Sequence, residues 1–228
     1  MSIKAKSLIS GFVFSIIFSL IKFSGNCDSI SNKIFRLHII ANSDSAVDQA
    51  LKLKVRDRLL NEFGDDFLDA NDVISAKKLA EENLDKIQNV AQDEISRNGF
   101  NYSVSAVVCH MLFGTRHYGN VTMPAGYYDA LRISIGDASG KNWWCVMFPP
   151  MCLPAAECEN EIEKALDNPE LSVVASGQKY VLEFKIVDVY FKVKEFLNEF
   201  VCKPVREFFS FSEMPYQTSF AFLELFNF

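Results

Sequence analysis

Residues 35–57 constrain the fold more strongly than any other part of the chain. Residues 35–41 are mostly apolar and contain a β-branched pair, which predicts a short buried strand. Residues 42–45 all favour helix N-termini. Apolar residues at helical spacing then predict an amphipathic helix that ends at Gly64. The joint between strand and helix carries more polar groups than a connector of this length needs.

The N-terminus has the pattern of an export signal. Basic residues precede an uncharged run at 8–21, which has the length of a secretory h-region and is short for a membrane span. Residues 1–27 are therefore expected to be a signal peptide cleaved after Cys27, or a retained signal anchor. Both alternatives place the domain expected at 28–202 and the Phe-rich tail at 203–228 outside the cytoplasm.

The chain is acidic, with a formal net charge of −6 over 228 residues. About 200 residues follow the signal, which is enough for one domain with a full core. Because no basic block is present, nucleic acid is a poor candidate partner. Membrane contact is expected only through the N-terminal segment, if that segment is retained.

The order of elements predicts the α+β class. We expect a single domain with a mostly antiparallel sheet, helices packed on one face and an N-terminal signal or anchor helix, because most strands follow one another after the first helices. Beyond the first strand and helix, the predicted elements are a helix, three strands, a weak helix and a long helix at 71–95, 102–113, 127–136, 143–148, 158–166 and 179–201. A strand at 180–186 is the alternative for the start of the last element.

No familiar catalytic pattern occurs in the sequence. It contains no G-x-S-x-G, H-E-x-x-H, C-x-x-C or phosphate-binding glycine loop. Cys109 and His110 are adjacent in a predicted strand, so they point to opposite faces and cannot pair. We expect no catalytic residue, cofactor, metal or small-molecule substrate. The alternative is an extracytoplasmic cell-wall hydrolase, whose paired carboxylates would be assembled only in space.

Both tryptophans stand side by side at the start of a predicted strand, in Asn142-Trp143-Trp144-Cys145. One is therefore expected to face the core and the other to face outward. An outward tryptophan is a common interface anchor, and the alternative is that it covers the second face of the sheet. Cys145 and Cys152 could form a disulfide outside the cytoplasm, which would stabilise the chain by about 2.5 kcal/mol.

Two blocks of the chain resemble stage II sporulation protein R, and the similarity covers roughly residues 33–200. The first block is Arg36-Leu37-His38-Ile39-Ile40-Ala41-Asn42-Ser43-Asp44-Ser45, with Asp48-Gln49-Ala50-Leu51-Lys52 and Val55-Arg56-Asp57. The second contains Tyr118-Gly119-Asn120, Pro124-Ala125-Gly126, Ala130-Leu131-Arg132, Asn142-Trp143-Trp144-Cys145-Val146 and Phe148-Pro149-Pro150 with Cys152. The Phe-rich tail departs from the family pattern.

The resemblance implies a sporulation signalling protein of endospore-forming bacteria that is not an enzyme. The family is made in the forespore and secreted into the space between the forespore and mother-cell membranes. There it activates a membrane-embedded aspartic protease, which processes the mother-cell sporulation sigma factor, pro-sigma-E. That protease is the expected partner. The candidate partner-binding residues are Arg36, His38, Asn42, Asp44, Asp48, Gln49, Lys52, Trp143 and Trp144.

Overall fold

The computed structural model describes residues 25–150, 165–175 and 181–197, together with Leu8, Gly11, Phe14, Ser15, Phe23 and Ile162. Most of the predicted signal, most of the predicted helix at 158–166 and the Phe-rich tail lie outside these residues. The chain divides into two compact units, Met1–Phe184 and Lys185–Phe228. All of the strands described below belong to the first unit.

The described elements fall into a first strand, three successive helices, five successive strands and two further helices. After a helical segment at 25–32, they are β1 (Phe35–Ile40), α1 (Ala46–Leu68), α2 (Val73–Glu82), α3 (Leu84–Arg97), β2 (Val104–Phe113), β3 (Arg116–Tyr118), β4 (Val121–Met123), β5 (Gly126–Ile135), β6 (Asn142–Phe148), α4 (Asn168–Ala175) and α5 (Val181–Leu197). The helix α5 confirms a helix rather than a strand at 181–186, and residue 180 lies outside the described residues.

The main sheet has the strand order β2-β5-β1-β6. The strand β1 lies parallel to β5 and antiparallel to β6, and β5 lies antiparallel to β2. The strands β3 and β4 form a separate antiparallel hairpin. Two of the three pairings in the main sheet are antiparallel, so the predicted α+β class and mostly antiparallel sheet are confirmed.

The helices α1, α2 and α3 pack on one side of the sheet, called here the first face. Leu37 and Ile39 of β1 and Ile133 of β5 are fully buried in the core that these helices cover. Successive strand residues alternate between faces, so Arg36 and His38 lie on the opposite side, called here the second face. The alternation that buries the core therefore also determines which polar side chains are gathered on the second face.

Two predicted helix boundaries were wrong. The first helix does not end at Gly64, because its buried stripe continues through Phe63 to Phe67 and outweighs the low helix propensity of one glycine. The single helix predicted at 71–95 is two helices, α2 and α3. At the break, the side-chain amide of Asn83 donates to the carbonyl of Leu79 (2.9 Å). Asn83 adopts φ −106° and ψ 12°, which is outside the helical range.

The helical segment before β1 contributes to the fold. Phe23 and Cys27 are buried, and the ring of Phe23 packs edge-on against that of Phe184 at 5.3 Å. Within the described part of the chain, no helix combines the length and the apolarity that crossing a membrane requires.

Cleavage after Cys27 would remove both of these buried side chains, each worth about 2 kcal/mol. We therefore expect the exported protein to keep Phe23, either because cleavage occurs before it or because the signal is retained. Mass spectrometry of the N-terminal peptide of the exported protein measures this directly. An N-terminus at Asp28 would contradict the prediction.

Candidate functional site

The polar joint between β1 and α1 is bound to the loop between β5 and β6, and residues 41–52 with 136–141 are called here the corner. The backbone carbonyl of Asn42 accepts hydrogen bonds from the backbone N–H (3.2 Å) and the hydroxyl (2.7 Å) of Ser139. The side-chain carbonyl of Asn42 accepts from the backbone N–H of Asp137 (3.0 Å). These bonds join two segments that are far apart in sequence.

Asp48 is the buried acceptor at the centre of the corner. Its Oδ2 accepts from the hydroxyl of Ser43 (2.5 Å) and from Nδ2 of Asn42 (3.0 Å), and the hydroxyl of Tyr102 also bonds to it. The bonds from Ser43 and Asn42 lower the pKa of Asp48, because they favour the charged carboxylate. Asp48 is therefore ionised at neutral pH, and hydrogen bonds from neutral groups of the chain stabilise its charge.

The N-terminus of α1 has one half of a capping box. Ser45 is the N-cap of α1, and its hydroxyl accepts from the backbone N–H of Asp48 (3.1 Å). The backbone N–H of Ser45 donates to the hydroxyl of Ser43 (3.1 Å), not to Asp48. The second half of the box is missing because the Asp48 carboxylate turns toward the strand end.

The remaining polar groups of the corner also have partners within the chain. Lys52 is buried, and its ammonium donates to Oε1 of Gln49 (2.6 Å) and to the carbonyl of Lys141 (2.9 Å). The side-chain amide of Gln49 donates to the carbonyl of Ser43 (2.8 Å), and Asp44 accepts from the backbone N–H of Lys141 (2.6 Å). Burial lowers the pKa of Lys52. The corner therefore holds the joint between β1 and α1 against the loop between β5 and β6. Partner binding by its side chains stays a prediction.

Asp48→Asn is expected to lower the free energy of unfolding by about 2 kcal/mol at pH 7, because the hydrogen bonds from Ser43, Asn42 and Tyr102 lose their charged acceptor. Folding lowers this pKa, so the stabilisation is fully present above the unfolded value near 3.8 and is lost as pH falls through the folded value. Urea denaturation between pH 7 and pH 3 should therefore show that the free energy of unfolding decreases less with falling pH in the variant than in wild type. Asp93→Asn on the exposed face of α3 is the control, and parallel curves for Asp48→Asn and wild type would contradict the prediction.

Arg36 is fully buried on the second face, although its side chain carries a charge. Its guanidinium carbon lies 4.2 Å, 4.9 Å and 5.8 Å from the ring centroids of Phe113, Tyr128 and Tyr118. One Nη donates to the hydroxyl of Tyr118 (2.5 Å) and Nε to the carbonyl of Cys145 (3.5 Å). Among the described residues, Nη1 has no hydrogen-bond partner. Aromatic faces therefore supply most of the surroundings of this cation.

His38 lies beside Arg36 on the same strand face and is almost fully buried. Its ring stacks on Trp144 with 3.9 Å between centroids, and Nε2 lies 2.9 Å from the side-chain oxygen of Asn142. Burial lowers the pKa of His38, so the ring is neutral at pH 7. The bond to Asn142 places the proton on Nε2, and Nδ1 is buried without a partner in the described part of the chain.

The two tryptophans face opposite sides of the sheet, as predicted. Trp143 lies on the first face, where the guanidinium of Arg56 sits 4.3 Å from its ring centroid. Trp144 lies on the second face, half-buried, with the guanidinium of Arg116 5.4 Å from its ring. Trp144 thus contacts His38, Arg116 and the edge-on ring of Phe113, and its side chain is partly exposed.

Cys145 is disulfide-bonded, and its partner lies outside the described residues. The predicted pairing with Cys152 therefore stays a prediction. Proteolysis without reduction, followed by mass spectrometry, should yield a linked peptide pair containing Cys145 and Cys152. Linkage of Cys145 to a different cysteine would contradict it. Cys27 and Cys109 are free, and burial raises the pKa of both thiols.

A cleft of about 560 Å³ beside α2 bears on the cell-wall hydrolase alternative. Its carboxylates are Glu81 and Asp129, and Asp129 binds Lys77 (2.7 Å) and His110 (2.9 Å). Burial would raise the pKa of Asp129, but the bonds from Lys77 and His110 outweigh it and lower the pKa. A glycosidase needs a general acid whose pKa is raised. Asp129 has the opposite property, so the cleft gives the hydrolase alternative no support.

Residues adjacent to this cleft do not form a nucleophilic pair. Cys109 points to the second face and His110 to the first, as the alternation of β2 requires. Among the described residues, no group of three or more His, Cys, Asp or Glu side chains is placed to hold a metal ion.

Sequence comparison assigns the chain to a family. The sequence profile of stage II sporulation protein R matches residues 31–158, which contain both the corner and the second face of the main sheet. Stage II sporulation protein R of Bacillus subtilis (strain 168) is 38% identical over 123 residues, which are 54% of this chain and 55% of that protein. The match therefore spans about half the length of this curated relative. No solved structure matches the chain. The chain belongs to the stage II sporulation protein R family.

Proposed function

We propose that this protein is an extracytoplasmic signal of endospore formation that activates the membrane-embedded aspartic protease processing pro-sigma-E. Family membership is the single observation that carries the proposal. In this account the chain is exported from the forespore and acts, released or tethered, between the forespore and mother-cell membranes. It changes the activity of the protease by binding and performs no hydrolysis itself.

The contacts on the two sides of the sheet favour the second face as the recognition surface. In the corner, the side chains of Asn42, Asp44, Asp48, Gln49 and Lys52 are engaged within the chain. On the second face, Trp144 is half-buried and Arg116 is exposed. Aromatic and arginine side chains are enriched among residues that dominate binding at protein interfaces.

A gene-deletion experiment in the native host tests the proposed function. Without this chain, sporulating cells should accumulate the sigma-factor precursor and lack the processed form on an immunoblot. The full chain should restore processing, whereas a chain lacking residues 1–22 should not, because it stays in the compartment where it is made. Normal processing in the deletion strain would overturn the proposal.

A further inference from the structure

One row of side chains crosses the second face of the sheet. The strand registers place Val107, Arg132, His38 and Trp144 opposite one another on β2, β5, β1 and β6. The neighbouring row toward the corner begins with Ser105 and Ser134, which are short. Val107 is 43% exposed, so this end of the row is open. We call Arg116, Arg132 and Trp144 the arginine–tryptophan patch.

The arginines in the described part of the chain fall into two groups by their partners. The helix residues Arg56, Arg58 and Arg97 each form an ion pair with a carboxylate, at 2.6 Å, 3.5 Å and 2.9 Å. No carboxylate of the described residues pairs with the arginines of the second face and its hairpin, Arg36, Arg116 and Arg132. Within the described residues, positive charge is thus left without a carboxylate partner in one place, on a chain whose net charge is −6.

Two buried polar atoms lie along the same row. Nδ1 of His38 and Nε of Arg132 are both buried, and neither has a hydrogen-bond partner among the described residues. Buried polar groups in folded proteins are nearly always paired; the N–H of Arg132 Nε lacks an acceptor here, whereas Nδ1 of His38 carries no proton and lacks a donor. Arginine recognises a carboxylate through two parallel N–H donors, which a half-buried guanidinium presents with little loss of side-chain entropy.

We propose that the arginine–tryptophan patch binds an acidic polypeptide segment, with a carboxylate on Arg132 and an apolar side chain on Trp144. The identity of the segment as part of the membrane-embedded protease rests on the proposed function. An anionic membrane is the less suitable ligand, because membrane attraction depends on clusters of about four to eight basic residues and the protein as a whole is acidic. The patch has two accessible arginines and one aromatic ring, which suits one short segment.

The binding test uses the full chain carrying Trp143→Phe, so that Trp144 is its only tryptophan. Its fluorescence is titrated with a peptide of alternating leucine and glutamate, and with a matched peptide in which glutamine replaces glutamate. The glutamate peptide should change the emission saturably, and the glutamine peptide should bind at least about tenfold more weakly. Arg132→Glu and Arg116→Glu should each weaken binding about tenfold. Arg97→Glu changes the net charge equally and should leave binding within about twofold.

The same variants are then added to the detergent-solubilised protease and the sigma-factor precursor, and cleavage of the precursor is measured for each variant. If the wild-type chain fails to stimulate cleavage while the patch still binds the acidic peptide, the proposed function is rejected and the inference about the patch is supported. If the wild-type chain stimulates cleavage but Arg132→Glu matches Arg97→Glu in both assays, the patch inference is overturned and the function stands.

Two further outcomes would overturn the patch inference. Arg132→Glu could lower the melting temperature without changing peptide binding, which would show that this chain's own carboxylates neutralise the arginine. The variant could instead lose binding only to phosphatidylglycerol vesicles, which would show that the ligand is a lipid surface. Equal melting temperatures for Arg132→Glu and Arg97→Glu, with selective loss of peptide binding, are the supporting result.

Discussion

Replacing Gly140 by alanine is expected to lower the free energy of unfolding by about 3 kcal/mol. A Cβ at this position would lie 2.2 Å from the carbonyl oxygen of Ser43 and 3.0 Å from that of Ala41. Both are backbone atoms at the end of β1, so neither can rotate away. Relief requires the loop to move off the strand end, which breaks the hydrogen bond from the Gly140 N–H to Ala41 (3.0 Å).

Gly64→Ala is the matched control for this prediction. Gly64 lies inside α1, and a Cβ there meets nothing within 4 Å. Alanine should therefore raise the free energy of unfolding by about 1 kcal/mol, because it favours the helix more than glycine does. Urea denaturation followed by tryptophan fluorescence measures both variants. A Gly140→Ala protein as stable as wild type would show that the loop does not dock on the strand end.

Among single changes on the second face, Arg36→Ala should destabilise the protein most, lowering the free energy of unfolding by about 3 kcal/mol or more. The side chain is fully buried among Phe113, Tyr118 and Tyr128, so truncation leaves a space that three large rings line. Arg36→Met fills most of this space and removes a buried charge that no described carboxylate neutralises. The free energy of unfolding of the methionine variant should lie within about 1 kcal/mol of the wild-type value or above it.

Thermal and urea denaturation of the two variants distinguish packing from charge. If methionine is as destabilising as alanine, the hydrogen bonds of the guanidinium to Tyr118 and Cys145 determine stability, and packing alone does not explain the buried arginine. If methionine restores stability but abolishes sigma-factor cleavage in the reconstituted assay, the positive charge of Arg36 serves recognition. Retained stability with retained cleavage would make Arg36 a packing residue.

Local patterns in the sequence were sufficient for much of the fold. The strand-cap-helix order of residues 35–57, the opposite directions of Cys109 and His110 in β2 and the separation of Trp143 from Trp144 all follow from periods of two and 3.6 residues. The helix break at Asn83 was missed because the apolar spacing continues across it. The short β3–β4 hairpin was also missed, since strands of three residues leave almost no periodic signal.

The candidate site depended more on contacts between distant residues. Arg36 and Tyr118 are 82 positions apart, and Asn42 and Ser139 are 97 positions apart. No local pattern indicates either contact, so the sequence did not show that the polar groups at 42–48 bond to the loop between β5 and β6. The signal for the second face was present but weak: arginine at 36 and 132, and tryptophan at 144, occupy alternating positions in otherwise apolar strands.

Reconstitution from purified components measures most directly whether this protein activates the protease. The protease is placed in lipid vesicles with the sigma-factor precursor, and cleavage is followed by gel with and without the full chain. Processed sigma factor is expected only when the chain is present on the side of the vesicle membrane that corresponds to the outside of the cytoplasm. Cleavage at the same rate in its absence would contradict the claim that this protein activates the protease.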